Sequence, residues 1–184
     1  MLKQKKESLV RPQVPIERLV RLCLVIIFSS FAAEVSITSH VTTLDIEILD
    51  LDSLKKAAEK LGLEVRQKTT YHWFGRHVGD YPLPEGFTEA ELGNCEFALG
   101  VVGNQHAYEI GVVKSKTGNG YTLLFDFWGG GSGLMKKVST DGQTLNLLKT
   151  EYGVEVAKKQ LARRGYRNVR EIRENGKVKL VARG

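Results

Sequence analysis

Residues 95–127, "CEFALGVVGNQHAYEIGVVKSKTGNGYTLLFDF", decide the fold class. Cys95, Phe97, Leu99 and Val101 alternate with other side chains, as do Tyr108, Ile110 and Val112, and then Tyr121, Leu123, Phe125 and Phe127. A period of two marks a strand with one apolar face. "GNQ" at 103–105 and "TGNG" at 117–120 are turn sequences, so the stretch reads as a three-strand antiparallel meander.

The flanks add helices to one face of this meander. In "VTTLDIEIL" (41–49) Leu44, Ile46 and Ile48 alternate with Asp45 and Glu47, which predicts another strand. A helix follows, with Asp52 as its expected cap, Leu54, Ala57, Ala58 and Leu61 as its apolar stripe, and Gly62 as its left-handed exit. "LEVRQKT" (63–69) reads as a strand. Residues 70–94, with clustered aromatics, two histidines and the prolines of "YPLPEG", read as one long loop. Loops of that length are usually functional or mobile. Residues 145–164 carry Leu147, Val154, Ala157 and Leu161 at helical spacing, flanked by Leu148, Tyr152 and Val156, and Gly165 ends the run. In "NVREIRENGKVKLVAR" (168–183), Asn175 and Gly176 separate two alternating stretches, a strong hairpin signal. The expected architecture is a single two-layer α+β domain over residues 36–184. Its order is β-α-β, three-strand meander, α, β-hairpin, and its mainly antiparallel sheet carries both helices on one face.

The chain has 184 residues, 42% hydrophobic and 26% charged, enough for one core and too short for two comfortable ones. The net charge of +6 is unevenly placed. Residues 157–184 hold ten Lys or Arg against two Glu, whereas residues 35–156 hold eleven basic and sixteen acidic side chains. The two cysteines, Cys23 and Cys95, cannot build a disulfide framework, and a reducing compartment fits them better.

The loop "GGGSGLMKK" (129–137) invites comparison with phosphate-binding motifs. It has no Gly-Lys pair, no hydroxyl after Lys137, no final glycine of a dinucleotide fingerprint, and no βαβ unit after it. It reads as a flexible strand exit. His72, His77, His106 and Cys95 are scattered without zinc spacing, so neither a metal nor a cofactor is expected. Cys95 as a nucleophile, with a histidine base and Asp126 or Asp80 as orienter, lacks any sequence feature that would assemble it. Its alternation with Phe97 and Leu99 predicts core packing on their face. No catalytic residues are assigned.

Two surfaces are candidates for binding. Tyr71, Trp73, Phe74 and Tyr81, with Arg76 beside them, either pin the long loop over the sheet or form an interface hot spot. Lys158, Lys159, Arg163, Arg164, Arg167 and Arg170 are either a solvated basic face or a set of phosphate contacts, with Tyr166 available to stack on a base.

"SHVTTLDIEILDLDSLKKAAEKLGLEV", "GDYPLPEGFTEAELGNCEFAL", "YEIGVVKSKTGNGYTLLFDFWGGG" and "YGVEVAKKQLARRGYRNVREIRENGKVKLVARG" together make the chain resemble the family known as hypothetical chloroplast reading frame thirty-five and its bacterial relatives. The resemblance runs from about Ser39 to the C-terminus. It implies a soluble protein of the bacterial cytoplasm or plastid stroma, and no catalytic residue to carry over. Residues 1–35 precede it. Their basic leader, the "LCLVIIF" run and the small residues Ser30 and Ala32 imitate an export signal over 1–33. The uninterrupted apolar run of seven is too short to span a bilayer, so no membrane insertion is expected. The favoured reading is a non-native or upstream-translated extension, with an export or anchor signal and a docked helix as the alternatives. For the domain the leading function is a non-catalytic accessory or protein-interaction module. A nucleic-acid-binding module is second, and a small Cys/His or metal-dependent enzyme third.

Overall fold

The structure is a computed structural model, and it describes residues 41–44, 46–77, 79 and 82–183. Among the described residues the strands and α-helices follow in the order β1 (Val41–Thr43), α1 (Leu51–Lys60), β2 (Leu63–Arg66), β3 (Phe97–Val101), β4 (Ile110–Lys114), β5 (Tyr121–Asp126), α2 (Met135–Val138), α3 (Asn146–Arg163), β6 (Arg167–Glu174) and β7 (Lys177–Arg183). The fold is α+β, as the periodicity predicts. Residues 1–35, with the signal-like segment, lie outside the described residues.

The meander is present: β3, β4 and β5 pair antiparallel, with Phe97 opposite Val112 and Gly111 opposite Leu124. The full order is β1-β5-β4-β3-β2, so β1 and β2 occupy opposite edges, and α1 carries the chain from one to the other. The predicted strand over 41–49 is interrupted. Leu44 N–H donates to the Leu123 carbonyl at 3.2 Å and Ile48 N–H to the Tyr121 carbonyl at 2.8 Å, so four residues advance against two.

Alternation places Phe97, Leu99, Val101, Ile110, Val112, Leu123 and Phe125 in the main core with Leu54, Ala57 and Ala58 of α1. The α1 cap is Asp50 rather than the expected Asp52: its Oδ1 accepts Ser53 N–H at 3.0 Å. Asp52 sits in the first turn, where a carboxylate favours the helix dipole. Leu148 and Tyr152 of α3 join the same core. The Tyr152 hydroxyl accepts Leu49 and Asp50 N–H at 3.0 and 3.3 Å, fixing the entry of α1 against α3.

Two expectations are corrected. The meander was expected to bury one face, yet Val41, Ala98, Val113 and Leu124 are buried on the other face beneath Tyr71 and Leu92 of the long loop. Small residues admit that cover, for a Cβ on Gly111 would lie 2.3 Å from the Tyr71 ring. The hairpin does not extend the main sheet but forms its own two-stranded sheet. Val178 and Leu180 pack on Val154, Ala157 and Leu161 of α3. Asn175 and Gly176 both take positive φ, 51° and 72°, as a two-residue turn of this hand requires.

Ion pairs lock this second layer to the first. Lys60 of α1 reaches Glu155 at 2.6 Å, Lys158 reaches Glu171 of β6 at 2.8 Å, and Arg173 of β6 reaches the buried Glu151 at 2.6 Å. One helix, a second helix and the hairpin therefore share a single charge cluster.

Candidate functional site

The long loop is held from beneath by two buried carboxylates. Glu109, 1% exposed, begins the approach to β4. Its Oε2 accepts His72 N–H at 2.6 Å and the Lys68 ammonium at 2.8 Å, and its Oε1 accepts Arg66 at 2.8 Å. Burial alone would raise this carboxyl, but the bonds from Lys68, Arg66 and the His72 amide outweigh it and hold it below the usual glutamate range. Asp126, 2% exposed, ends β5. Its Oδ2 accepts Phe74 N–H at 3.2 Å and its Oδ1 accepts Trp128 N–H at 2.9 Å. Tyr71 N–H is also satisfied, by the Gly93 carbonyl at 2.8 Å. Three amides within four residues thus have fixed acceptors, which tie the loop down at Tyr71, His72 and Phe74.

Above this base the Phe74 and Trp128 rings meet at 5.0 Å between centroids, tilted by 57°. The Arg76 guanidinium lies 5.5 Å over the Phe74 ring. Trp128 is 47% exposed, which puts a large accessible apolar ring beside Phe74. It is projected by the residues after it. Gly129, Gly130, Gly131 and Ser132 have φ of 57°, 68°, 57° and 51°, a left-handed turn open chiefly to glycine. The Gly131 carbonyl accepts Tyr108 N–H at 2.9 Å, anchoring the turn to the approach of β4. The expected flexible exit is therefore a bonded turn, and it leads directly into the four-residue α2, which periodicity is too short to reveal.

The aromatic candidates separate. Tyr71 is buried and Trp73 half-buried, both packed on the second face of the sheet. Burial raises the Tyr71 phenol well above its ordinary value. Phe74 is half-buried and meets Trp128, and the exposed Arg76 lies over the Phe74 ring. Tyr81 lies outside the described residues. Trp128 itself escapes a sequence reading, because nothing but its place before three glycines distinguishes it.

The basic candidates also separate. Lys158 bonds Glu155 and Glu171, and Lys159 lies 2.5 Å from Asp50. Arg163, Arg164, Arg167 and Arg170 are exposed. Tyr166, the expected stacking residue, packs instead against the α3–hairpin cluster.

Cys95 corrects another expectation. It precedes β3 and packs on the second face with Tyr71 and Ala98, opposite Phe97 and Leu99. Its Sγ donates to the Lys68 carbonyl at 3.4 Å, and burial pushes the thiol up to about 11, away from a thiolate at neutral pH. The His72 ring meets the Ala107 carbonyl through Nδ1 at 3.0 Å. Asp126, considered as an orienter, is engaged by two backbone amides, and Asp80 lies outside the described residues. Among the described residues no group of three or more His, Cys, Asp or Glu could hold a metal ion. A cavity of about 420 Å³ between Leu44, Ile46, Phe87 and Tyr121 carries Glu47 and Lys116 on its wall. Both are engaged internally, Glu47 with Gly120 N–H at 2.7 Å and Lys116 with Glu91 at 2.6 Å. No helix among the described residues is long and apolar enough to cross a membrane. Comparison of the chain with protein-family models, curated proteins and solved structures finds no match.

Proposed function

We propose that this chain is a non-catalytic protein-interaction module whose partner docks on Phe74, Arg76 and Trp128. The reading includes membership of the plastid and bacterial family that the sequence resembles, with action in the cytoplasm or stroma. The observation that supports docking is the exposed Trp128 ring seated on Phe74, with Asp126 holding both backbones. Tryptophan and arginine are the side chains that most often anchor an interface, because each buries large area and Arg adds directional donors. A platform fixed before binding loses little conformational entropy when a partner covers it.

The test is affinity capture from the source organism, with the captured protein identified by mass spectrometry and then remade in pure form. Trp128→Ala and Phe74→Ala should each weaken the purified complex at least about tenfold, as expected for hot-spot truncation. Reversal of Arg163, Arg164 and Arg167 should change it little. A complex that survives both aromatic truncations overturns the reading.

A further inference from the structure

The β6–β7 hairpin separates its charges by side. Successive strand residues point to opposite faces, and Val169, Val178, Leu180 and Ala182 pack toward α3. Glu171 and Arg173 on that inner side are matched by Lys158 and Glu151. The outer side carries Arg170, Ile172 and Glu174 of β6 opposite Val181, Lys179 and Lys177 of β7.

A bulge adds a further cation to the outer side. Arg167 pairs with Arg183 and Arg170 with Val181, so two β6 residues, Asn168 and Val169, stand against one on β7. Asn168 takes φ 55°, the left-handed geometry that a bulge of this kind needs. Three positions apart on a regular strand, Arg167 and Arg170 would face opposite ways; the extra residue brings them to the same side. Arg167, Arg170, Lys177 and Lys179 are all exposed. Among the described residues none of the four makes an ion pair, and Glu174 is the single acid beside them. Arg163 and Arg164, exposed at the end of α3, continue the basic run toward Arg167.

We propose that the outer face of the β6–β7 ribbon binds the phosphate backbone of a nucleic-acid duplex without reading its sequence. Lys177 and Lys179 stand about 7 Å apart along β7, and Arg170 lies diagonally across the pair from Lys179 at about 7 to 8 Å, a run of cations suited to a regularly charged polyanion. Each contact releases counterions and so adds a similar increment. Arginine adds bidentate phosphate recognition. A protein interface is less suited to this face, since lysine is depleted from interface cores and no aromatic anchor is present. The inward packing of Tyr166 removes the stacking platform that a single strand would use.

The experiment titrates the full chain into a labelled mixed-sequence DNA duplex, followed by anisotropy, from about 50 to 200 mM salt. Wild type should bind, with log K falling linearly in log salt. Arg170→Glu with Lys179→Glu should flatten that slope by about 1.8, at about 0.9 per lost contact, and weaken low-salt binding at least tenfold. Lys136→Glu with Lys137→Glu, an equal charge change on α2, should leave both values near wild type. The basic residues of 1–35 are common to every variant, so the difference isolates the ribbon. If charge reversal disturbs the hairpin, Arg170→Gln with Lys179→Gln, set against Lys136→Gln with Lys137→Gln, makes the same comparison at matched charge. Failure of wild type to bind at low salt overturns the proposal, as does equal loss from both reversed pairs. A polyglutamate peptide that competes as well as the duplex at equal charge also overturns it, in favour of an acidic protein partner.

Discussion

Asp126 accepts the backbone amide of Phe74 across 52 residues of sequence, at 3.2 Å, while its second oxygen holds Trp128 two residues along the chain. One buried carboxylate thereby ties the long loop to the end of β5. Asp126→Asn keeps the shape but turns an amide donor toward one of two N–H groups. The expected cost is about 1 to 3 kcal/mol, the penalty for a buried donor left unpaired, measured by denaturant unfolding. Faster hydrogen exchange at the Phe74 amide should accompany it. Unchanged stability and exchange would show that the carboxylate does not hold the platform.

Glu109 makes the loop sensitive to acid. Its carboxyl is lowered relative to its ordinary value of 4.5, so its contribution is complete above that value and is lost as pH falls through the lower folded-state value. Glu171, where bonds from Lys158 and Arg173 outweigh burial, is held down to about 2 and acts in the same direction. Melting temperature should therefore be level above about pH 5 and decline between 4.5 and 2. Glu109→Gln should lower stability by about 2 to 3 kcal/mol, discounted because Lys68 is partly exposed, and should shrink the acid-dependent part.

Cys95 should be slow to alkylate. With the thiol raised to about 11, its labelling rate should climb about tenfold per pH unit between pH 8 and 10, followed by peptide-resolved mass spectrometry so that Cys23 is counted separately. Cys95→Ala should cost about 1 kcal/mol, the lower end for a small partly buried side chain. Rapid labelling at neutral pH would contradict the burial that sets this shift.

Gly111 and Tyr71 test the covered second face. Gly111→Ala places a methyl group 2.3 Å from the Tyr71 ring and should destabilise by about 1 to 3 kcal/mol through overpacking. Tyr71→Phe removes a buried hydroxyl that has no hydrogen-bond partner among the described residues, and should be neutral or stabilising by about 1 kcal/mol. A tolerated Gly111→Ala would mean that the loop lifts readily from the sheet.

Local pattern by itself determined the elements whose signals lie within a few residues. The meander, the helix read over 145–164 and found at Asn146–Arg163, and the Asn175–Gly176 turn all follow from periodicity and dihedral preference. Such signals say which side of an element is apolar, not what will cover it. Burial of the second face depends on a loop some forty residues from β4 finding room over Gly111. The roles of Glu109 and Asp126 depend on amides that only the closed chain brings within hydrogen-bond reach. Alternation likewise assigned Cys95 to the face of Phe97, but its amide and thiol bond the chain at Thr69 and Lys68 before β3 begins, turning it to the other side. The bulge at Asn168 is the same lesson in one residue: a single left-handed φ reverses a parity that sequence spacing takes for granted, and it decides that Arg167 and Arg170 share a surface.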